Sequence, residues 1–459
     1  MPRVRRTAAT IVTSLLLPLL VIVPASVASG QPSVTSAAPS QTVAGLPAAV
    51  PVKQAKKKKK GYRVRPGLTF NSAVGPAGKR RAIVGKVNRA ITHTKNGDTI
   101  RIMSWKIWTY AGVTRLLKAQ KRGVKIQVLM DKKNTIVENN PHFWRLRNGL
   151  AAGNKKIGNK KKHSRAKLCT QSCRGKGGAA HSKFFLFSKA GRSRYVYMSS
   201  SANWGDAAAN RQWNDMYTFV GDKQIYDFAT KIFQEMWRDK PAKRPWQTFT
   251  KGKKSQVTAA FAPRGSKGRT NDPLAKTLQQ VRCKGAQPAG GGNRTKIRVA
   301  PDVIRGEQGM KIARLLRKLW DQGCDVKVGH TVMGVDVMRL LRANRGRGPV
   351  PVRHLVQDHD GDGIFDRYFH LKVYTINGYI GNDRSATFVQ HGSANTSRLA
   401  DISDENIVYF RNYRKLTTKY QNHIDYWFRN FPASKPLNAR AMILMRAGYI
   451  DPYQNMELD

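Results

Sequence analysis

Beyond residue 62 the chain alternates short apolar runs with amphipathic stretches, and the order of elements is written twice. Residues 99–105 ("TIRIMSW") and 296–303 ("KIRVAPDV") are rich in aliphatic residues without helical spacing, which predicts buried strands. Each is followed by apolar residues at intervals of three and four, "VTRLLKAQKRG" and "MKIARLLRKLWDQG", the pattern of an amphipathic helix. Gly123 and Gly323 then stop the two helices. A second strand follows ("VKIQVLMD", "DVKVGHT"), then a long variable stretch, then a strand opening on His-x-Lys. A turn of small residues comes next ("SSSANW", "HGSANTS"), then another strand ("DMYTFVG", "ENIVYFR"). An amphipathic helix carrying Trp237 or Trp427 near its end closes each unit.

The spacing is nearly constant. His181 to His370 is 189 residues, Asn203 to Asn395 is 192 and Trp237 to Trp427 is 190. This predicts an α/β protein with two duplicated lobes, each a mixed β-sheet flanked by helices. Residues 62–245 form the expected N-terminal lobe and 255–440 the C-terminal lobe, joined through 240–254, with 441–459 as a tail. The Gly-rich stretch 285–294 reads as a loop within the second lobe.

The two His-x-Lys strands carry the candidate chemistry. Side chains alternate along a strand, so His181 and Lys183 share one face, as do His370 and Lys372. One such pair is usually structural. The same pair twice, each followed by Ser-Ala-Asn, points to a shared site. The pKa of imidazole suits it to act as nucleophile or acid on a phosphodiester. Two ammonium groups would balance charge on the non-bridging oxygens, and the amides of Asn203 and Asn395 would donate to them. Ser201 and Ser393 would add hydroxyls to the substrate or shape the turn.

"HSKFFLF…SSAN" and "HLKVYTI…GSAN" resemble the paired His-x-Lys signatures of the phospholipase D superfamily, over nearly all of the chain after residue 62. The resemblance implies two lobes about a pseudo-twofold axis with both motifs at the seam, and chemistry that needs no cofactor. It implies that His181 attacks phosphorus to give a phosphohistidine. His370 then serves as acid and base. An acidic residue on the strand after Ser-x-Asn holds each ring; the matching positions here are Glu405 and Asp215. The family's motif Asp is replaced by Ser188 and Asn377.

Charge narrows the partners. With 83 Lys and Arg against 27 Asp and Glu, the net charge is +56. So basic a surface attracts polyanions: phosphodiester substrates, anionic membranes or cell-wall polymers. A secreted phospholipase D cleaving a phospholipid headgroup is the expected activity, with a nuclease of the same superfamily and an inactive anionic-polymer binder as alternatives. Trp105, Trp108, Trp204 and Trp213 would line a mouth or belong to the core. Nothing in the pattern fixes an oligomeric state.

The first 30 residues read as a secretory signal peptide: Arg3, Arg5 and Arg6, then an apolar run over 11–23, then small residues near Ala28. The expected location is therefore extracellular. Residues 31–61 read as a disordered Ala/Pro/Ser and then Lys-rich linker. Export makes disulfides the expected state of the four cysteines, with the local pairings Cys169–Cys173 and Cys283–Cys324 favoured. Finally, "DHDGDGIFD" sets Asp358, Asp360, Asp362 and Asp366 around Gly363 with the spacing of a calcium loop. Phe369 stands where the bidentate Glu would be. This is a candidate structural calcium site or an acidic turn feeding the His370 strand.

Overall fold

A computed structural model describes residues 61–136, 139–265 and 272–457. The expected signal peptide and all but the last residue of the expected linker lie outside these. Two mixed sheets dominate. The strands of the first are β1 (Gly67–Phe70), β2 (Thr99–Ser104), β3 (Lys125–Asp131), β4 (Arg165–Cys169), β5 (Lys183–Ala190), β6 (Ser193–Ser200) and β7 (Asp215–Phe219). Those of the second are β8 (Gln247–Lys251), β9 (Gln256–Phe261), β10 (Lys296–Pro301), β11 (Asp325–His330), β12 (Val352–His354), β13 (Lys372–Ile380), β14 (Asp383–Gly392) and β15 (Asn406–Arg411).

Across the first sheet the order is β1-β7-β6-β5-β2-β3-β4; across the second it is β8-β9-β15-β14-β13-β10-β11-β12. Apart from β8, the two orders correspond strand for strand. So do the orientations: β2, β3 and β4 are mutually parallel, as are β10, β11 and β12, and every other neighbour pair in either path is antiparallel. The expected joint at 240–254 is partly regular, because β8 hairpins onto β9 as the outer strand of the second sheet.

Strand alternation explains where the core sits. Phe184 and Leu186 of β5 pack with Phe261, Val373, Val389 and Phe410 of the second sheet in a core common to both halves. Phe185 and Phe187 face the opposite way, into the first half's own core under Ala82–Thr92 and Tyr110–Lys121. In the second half Tyr374 and Ile376 do the same under Gly306–Asp321. The closing helices, Lys223–Arg238 and Arg414–Asn430, contribute Phe233, Tyr420 and Trp427 to the shared core. The halves are therefore bound by apolar burial, the largest favourable contribution to folding, and the ends of β5 and β13 are held against one another.

The cysteines pair as Cys169–Cys173 and Cys283–Cys324, closing loops with separations of 4 and 41 residues. A cross-link restrains the unfolded chain more when its loop is longer. Replacing Cys283 and Cys324 by Ser should cost about 4 kcal/mol of stability, against about 2 kcal/mol for Cys169 and Cys173. Denaturant titration of the two double variants checks this order.

Candidate active site

His181 and His370 each stand just before a central strand. Lys183 opens β5 opposite Ser104, and Lys372 opens β13 opposite Pro301. All four side chains are buried. Each ammonium donates to the carbonyl of its own histidine: Lys183 Nζ to His181 O at 2.5 Å, Lys372 Nζ to His370 O at 3.2 Å. The backbone of each motif is pinned by the other half. Lys183 N donates to Asn406 Oδ1 at 2.6 Å, and His370 N donates to Trp213 O at 3.0 Å. The chain entering His181 is fixed as well, by Ala180 N donating to Asp131 Oδ2 at 2.7 Å.

Each imidazole is held across the seam. His181 Nδ1 lies 2.8 Å from Glu405 Oε1, and His370 Nδ1 lies 2.8 Å from Asn214 Oδ1. Asp215 was expected to hold one of the rings; the structure gives that role to its neighbour Asn214. Ser200 pairs with Met216, and Gly392 with Ile407. Counting two back from each gives Asn214 and Glu405 as the matching positions. Asp215 belongs to the opposite face of its strand, where its carboxylate lies 2.9 Å from His391 Nδ1 and accepts from Tyr420 Oη at 2.6 Å. Burial alone would raise the Asp215 pKa; His391 and these hydrogen bonds outweigh it and hold it below the usual value.

The two serines differ from expectation too. Ser201 Oγ donates to Asn214 Oδ1 at 2.9 Å and accepts from Asp215 N; Ser393 Oγ donates to Glu405 and accepts from Asn406 N. Both are fully buried and hold the ring-bracing residues, so they act on the imidazoles rather than on a substrate. Asn203 accepts from Lys106 N at 3.3 Å and keeps its amide nitrogen toward the site. Asn395 lines a narrow cleft with Arg264, Asp272 and Gln308.

One site residue had no signal in the motifs. Asp302 Oδ2 accepts from Lys372 Nζ at 2.8 Å and lies 3.6 Å from His370 Nε2. The matching residue of the first half, one past the Lys183 partner Ser104, is Trp105, whose ring centroid is 5.5 Å from that of His181. Extending the alignment of the two halves by one residue beyond each strand would have set Asp302 against Trp105. The two halves of the site are thus unlike: a carboxylate braces His181 at Nδ1 and a Trp lies beside it, while an amide braces His370 and a carboxylate faces its Nε2.

The electrostatics join both motifs in one field. Burial holds the His370 pKa well below its ordinary value, and the charges of Lys372, Lys183 and His181 push the same way. Glu405 is raised to about 7 by burial, against the pull of Lys183, the Ser393 hydrogen bond and Lys372. Groups from both halves therefore act on each of them at short range. A cavity of about 660 Å³ opens beside Asn203, lined by Trp105, Lys106, Trp108, Lys133 and Arg211 among others.

The two departures from the motif lie away from this centre. Ser188 is five residues along β5 from Lys183, roughly 17 Å at strand rise, and its Oγ accepts from Thr99 N at 2.8 Å. Asn377 bonds both ways with the Ala289 backbone, at 2.8 and 3.0 Å. Ser188 thus holds the start of β2, and Asn377 holds the Gly-rich loop of the second half. In the acidic loop, Asp358, Asp360 and Asp362 have carboxylate oxygens within 4.8 Å of one another. Asp366 instead holds His359 Nδ1 at 2.8 Å, and Asp358 is engaged by the backbone N–H groups of Gly361 and Gly363. The loop is closed by its own hydrogen bonds.

Comparison with known proteins agrees with this geometry. Residues 87–237 match the family model described as cardiolipin synthase, phospholipase D-like domain. The fold is similar to that of phosphatidylserine synthase from Haemophilus influenzae, with a TM-score of 0.52 and 12% identity, covering 78% of this chain and 86% of that one. Weaker likenesses are to the phospholipase D family member Nuc from Salmonella typhimurium (TM-score 0.28, 15% identity, 38% and 96% covered) and to polyphosphate kinase from Porphyromonas gingivalis. The latter has a TM-score of 0.49 and 12% identity; the match covers 85% of this chain, which spans only 55% of that kinase. No curated protein matches the sequence. Catalysis in the superfamily of this fold needs no metal. Residues 87–237 are thus similar to the phospholipase D-like family, and the fold of the whole is shared with that synthase.

Proposed function

We propose that the protein is a secreted phosphodiesterase that hydrolyses the headgroup ester of a phospholipid. The observation that carries this is the convergence of His181 and Lys183 with His370 and Lys372, each imidazole braced by a residue of the opposite half. The asymmetry of the braces supports the assignment of roles. Glu405 at Nδ1 raises the basicity of the His181 ring and stabilises the positive charge that develops when Nε2 bonds to phosphorus, so His181 is the nucleophile. His370 is held neutral by burial and neighbouring cations. An incoming phosphodiester anion offsets those cations, so that His370 takes up a proton and hands it to the leaving oxygen, then withdraws one from water. Lys183 and Lys372 balance the non-bridging oxygens throughout.

The cavity supports an amphipathic substrate: Trp105, Trp108 and Leu399 supply apolar surface beside Lys106 and Arg211. A phosphatidyl group offers both. The charge of +56 supports a second reading, a nuclease. Incubation in chelator with phospholipid vesicles and with plasmid or single-stranded DNA separates them: released headgroup supports the first, shortened DNA the second, and binding without product an inactive relative.

His181→Ala and His370→Ala should each lower kcat/KM by about a thousandfold or more with the fold retained, the scale of losing a nucleophile or general acid. Wild-type turnover in either variant contradicts the assignment. The reaction should also depend on pH in a set direction. A buried acid with a raised pKa keeps its proton up to about 7. Below that value the Glu405–His181 pair holds an extra proton and the ring is a poorer nucleophile. The rate constant kcat/KM should therefore climb as pH rises through about 7, and Glu405→Gln should remove that limb. A flat wild-type profile between pH 5 and pH 9 would contradict the role given to Glu405.

A further inference from the structure

Residues past the helix Ala439–Arg446 return to the active site. They are fastened on the way to the acidic loop and its neighbours. Phe365 N donates to Pro452 O at 2.9 Å, the Phe365 and Tyr453 rings meet at 5.2 Å, and Tyr453 also contacts His354. The segment then runs along the wall of the cavity, lined by Gln454 to Glu457, and ends its described course on the seam.

There Glu457 is 8% exposed. Its Oε2 accepts from Asn203 Nδ2 at 2.8 Å and from Gln212 Nε2 at 2.8 Å, and its backbone N–H donates to Tyr368 Oη at 2.9 Å. Gln212 and Tyr368 are neighbours across the seam: they pair in a short parallel ladder, and Gln212 Nε2 donates to Tyr368 Oη at 2.6 Å. The Tyr368 ring lies 5.6 Å from that of His370. A carboxylate with two amide donors on one oxygen, one Tyr ring away from His370, has the charge and hydrogen bonding of a phosphodiester's non-bridging oxygen. A protein with 83 basic and 27 acidic residues has abundant cations at its surface for a stray glutamate. Burying this one is favourable only because the donors are already set.

Resting on the phosphodiesterase reading above, we propose that residues 447–457 are a built-in pseudosubstrate, with the Glu457 carboxylate filling the phosphate subsite formed by Asn203 and Gln212. Gln212 is thereby assigned as a phosphate-oxygen donor in addition to the motif Asn. A phosphate-bearing substrate must displace the segment before the imidazoles reach phosphorus, so the enzyme is restrained in its resting form.

The test is a binding measurement that needs no turnover, so it stands or falls apart from the activity. Inorganic phosphate is titrated calorimetrically into the full-length protein and into its Glu457→Ala and Glu457→Gln variants, with circular dichroism to confirm folding. Loss of the competing carboxylate should tighten phosphate binding by about tenfold or more, the scale of one charge-assisted hydrogen bond. Adding Asn203→Ala to Glu457→Ala should abolish the gain. Tightening in either single variant, reversed by Asn203→Ala, supports the assignment. Affinity equal to wild type in both, or a gain that survives Asn203→Ala, overturns it. Failure of every variant to cleave any phosphodiester would refute the proposed function and leave this result intact.

Discussion

Two lysines and two histidines are buried together at the seam between the sheets, and the rest of the structure answers to that burial. A charge taken out of water needs a partner in the protein. Here Asp302 meets Lys372, and Glu405 lies close enough to both lysines to feel their charge. The lysines also return to the carbonyls of their own histidines. Removing either carboxylate would leave the buried cations with less opposing charge, which couples the architecture of the seam to the chemistry it performs.

The halves cannot be separated without undoing the site. Phe184 and Leu186, immediately after Lys183, pack in the same core as Val373, immediately after Lys372. Hydrogen bonds then run both ways across the seam, from Glu405 to His181 and from Asn214 to His370. The Nδ1 brace of each motif imidazole comes from the opposite half. The arrangement preorganises both rings at a fixed mutual position before substrate arrives, which is the condition for electrostatic catalysis.

Much of this was legible in the sequence. Constant offsets between repeated elements predicted two paired α/β units without their strand order, and His-x-Lys with Ser-Ala-Asn singled out His181, Lys183, His370, Lys372, Asn203 and Asn395. Glu405 followed from the strand after the turn. Asp215 carries the charge but not the register; the residue in the matching place is the uncharged Asn214. A one-residue shift on a strand reverses the face. Ser201 and Ser393 could have met substrate or shaped the turn; their partners lie on the neighbouring strand, which pairing alone reveals. Asp302 and Glu457 carry no motif, and only the tertiary fold brings them to the imidazoles.

The central claim, that His181 and His370 act in sequence on one phosphorus, is tested most directly by trapping. The His370→Ala protein is mixed with a phosphodiester bearing a good leaving group, quenched in base and digested, and the peptides are weighed by mass spectrometry. Without the group that activates water, the covalent intermediate should accumulate on the peptide containing His181. An adduct on any other residue, or a turnover-competent protein that accumulates none, would contradict the account.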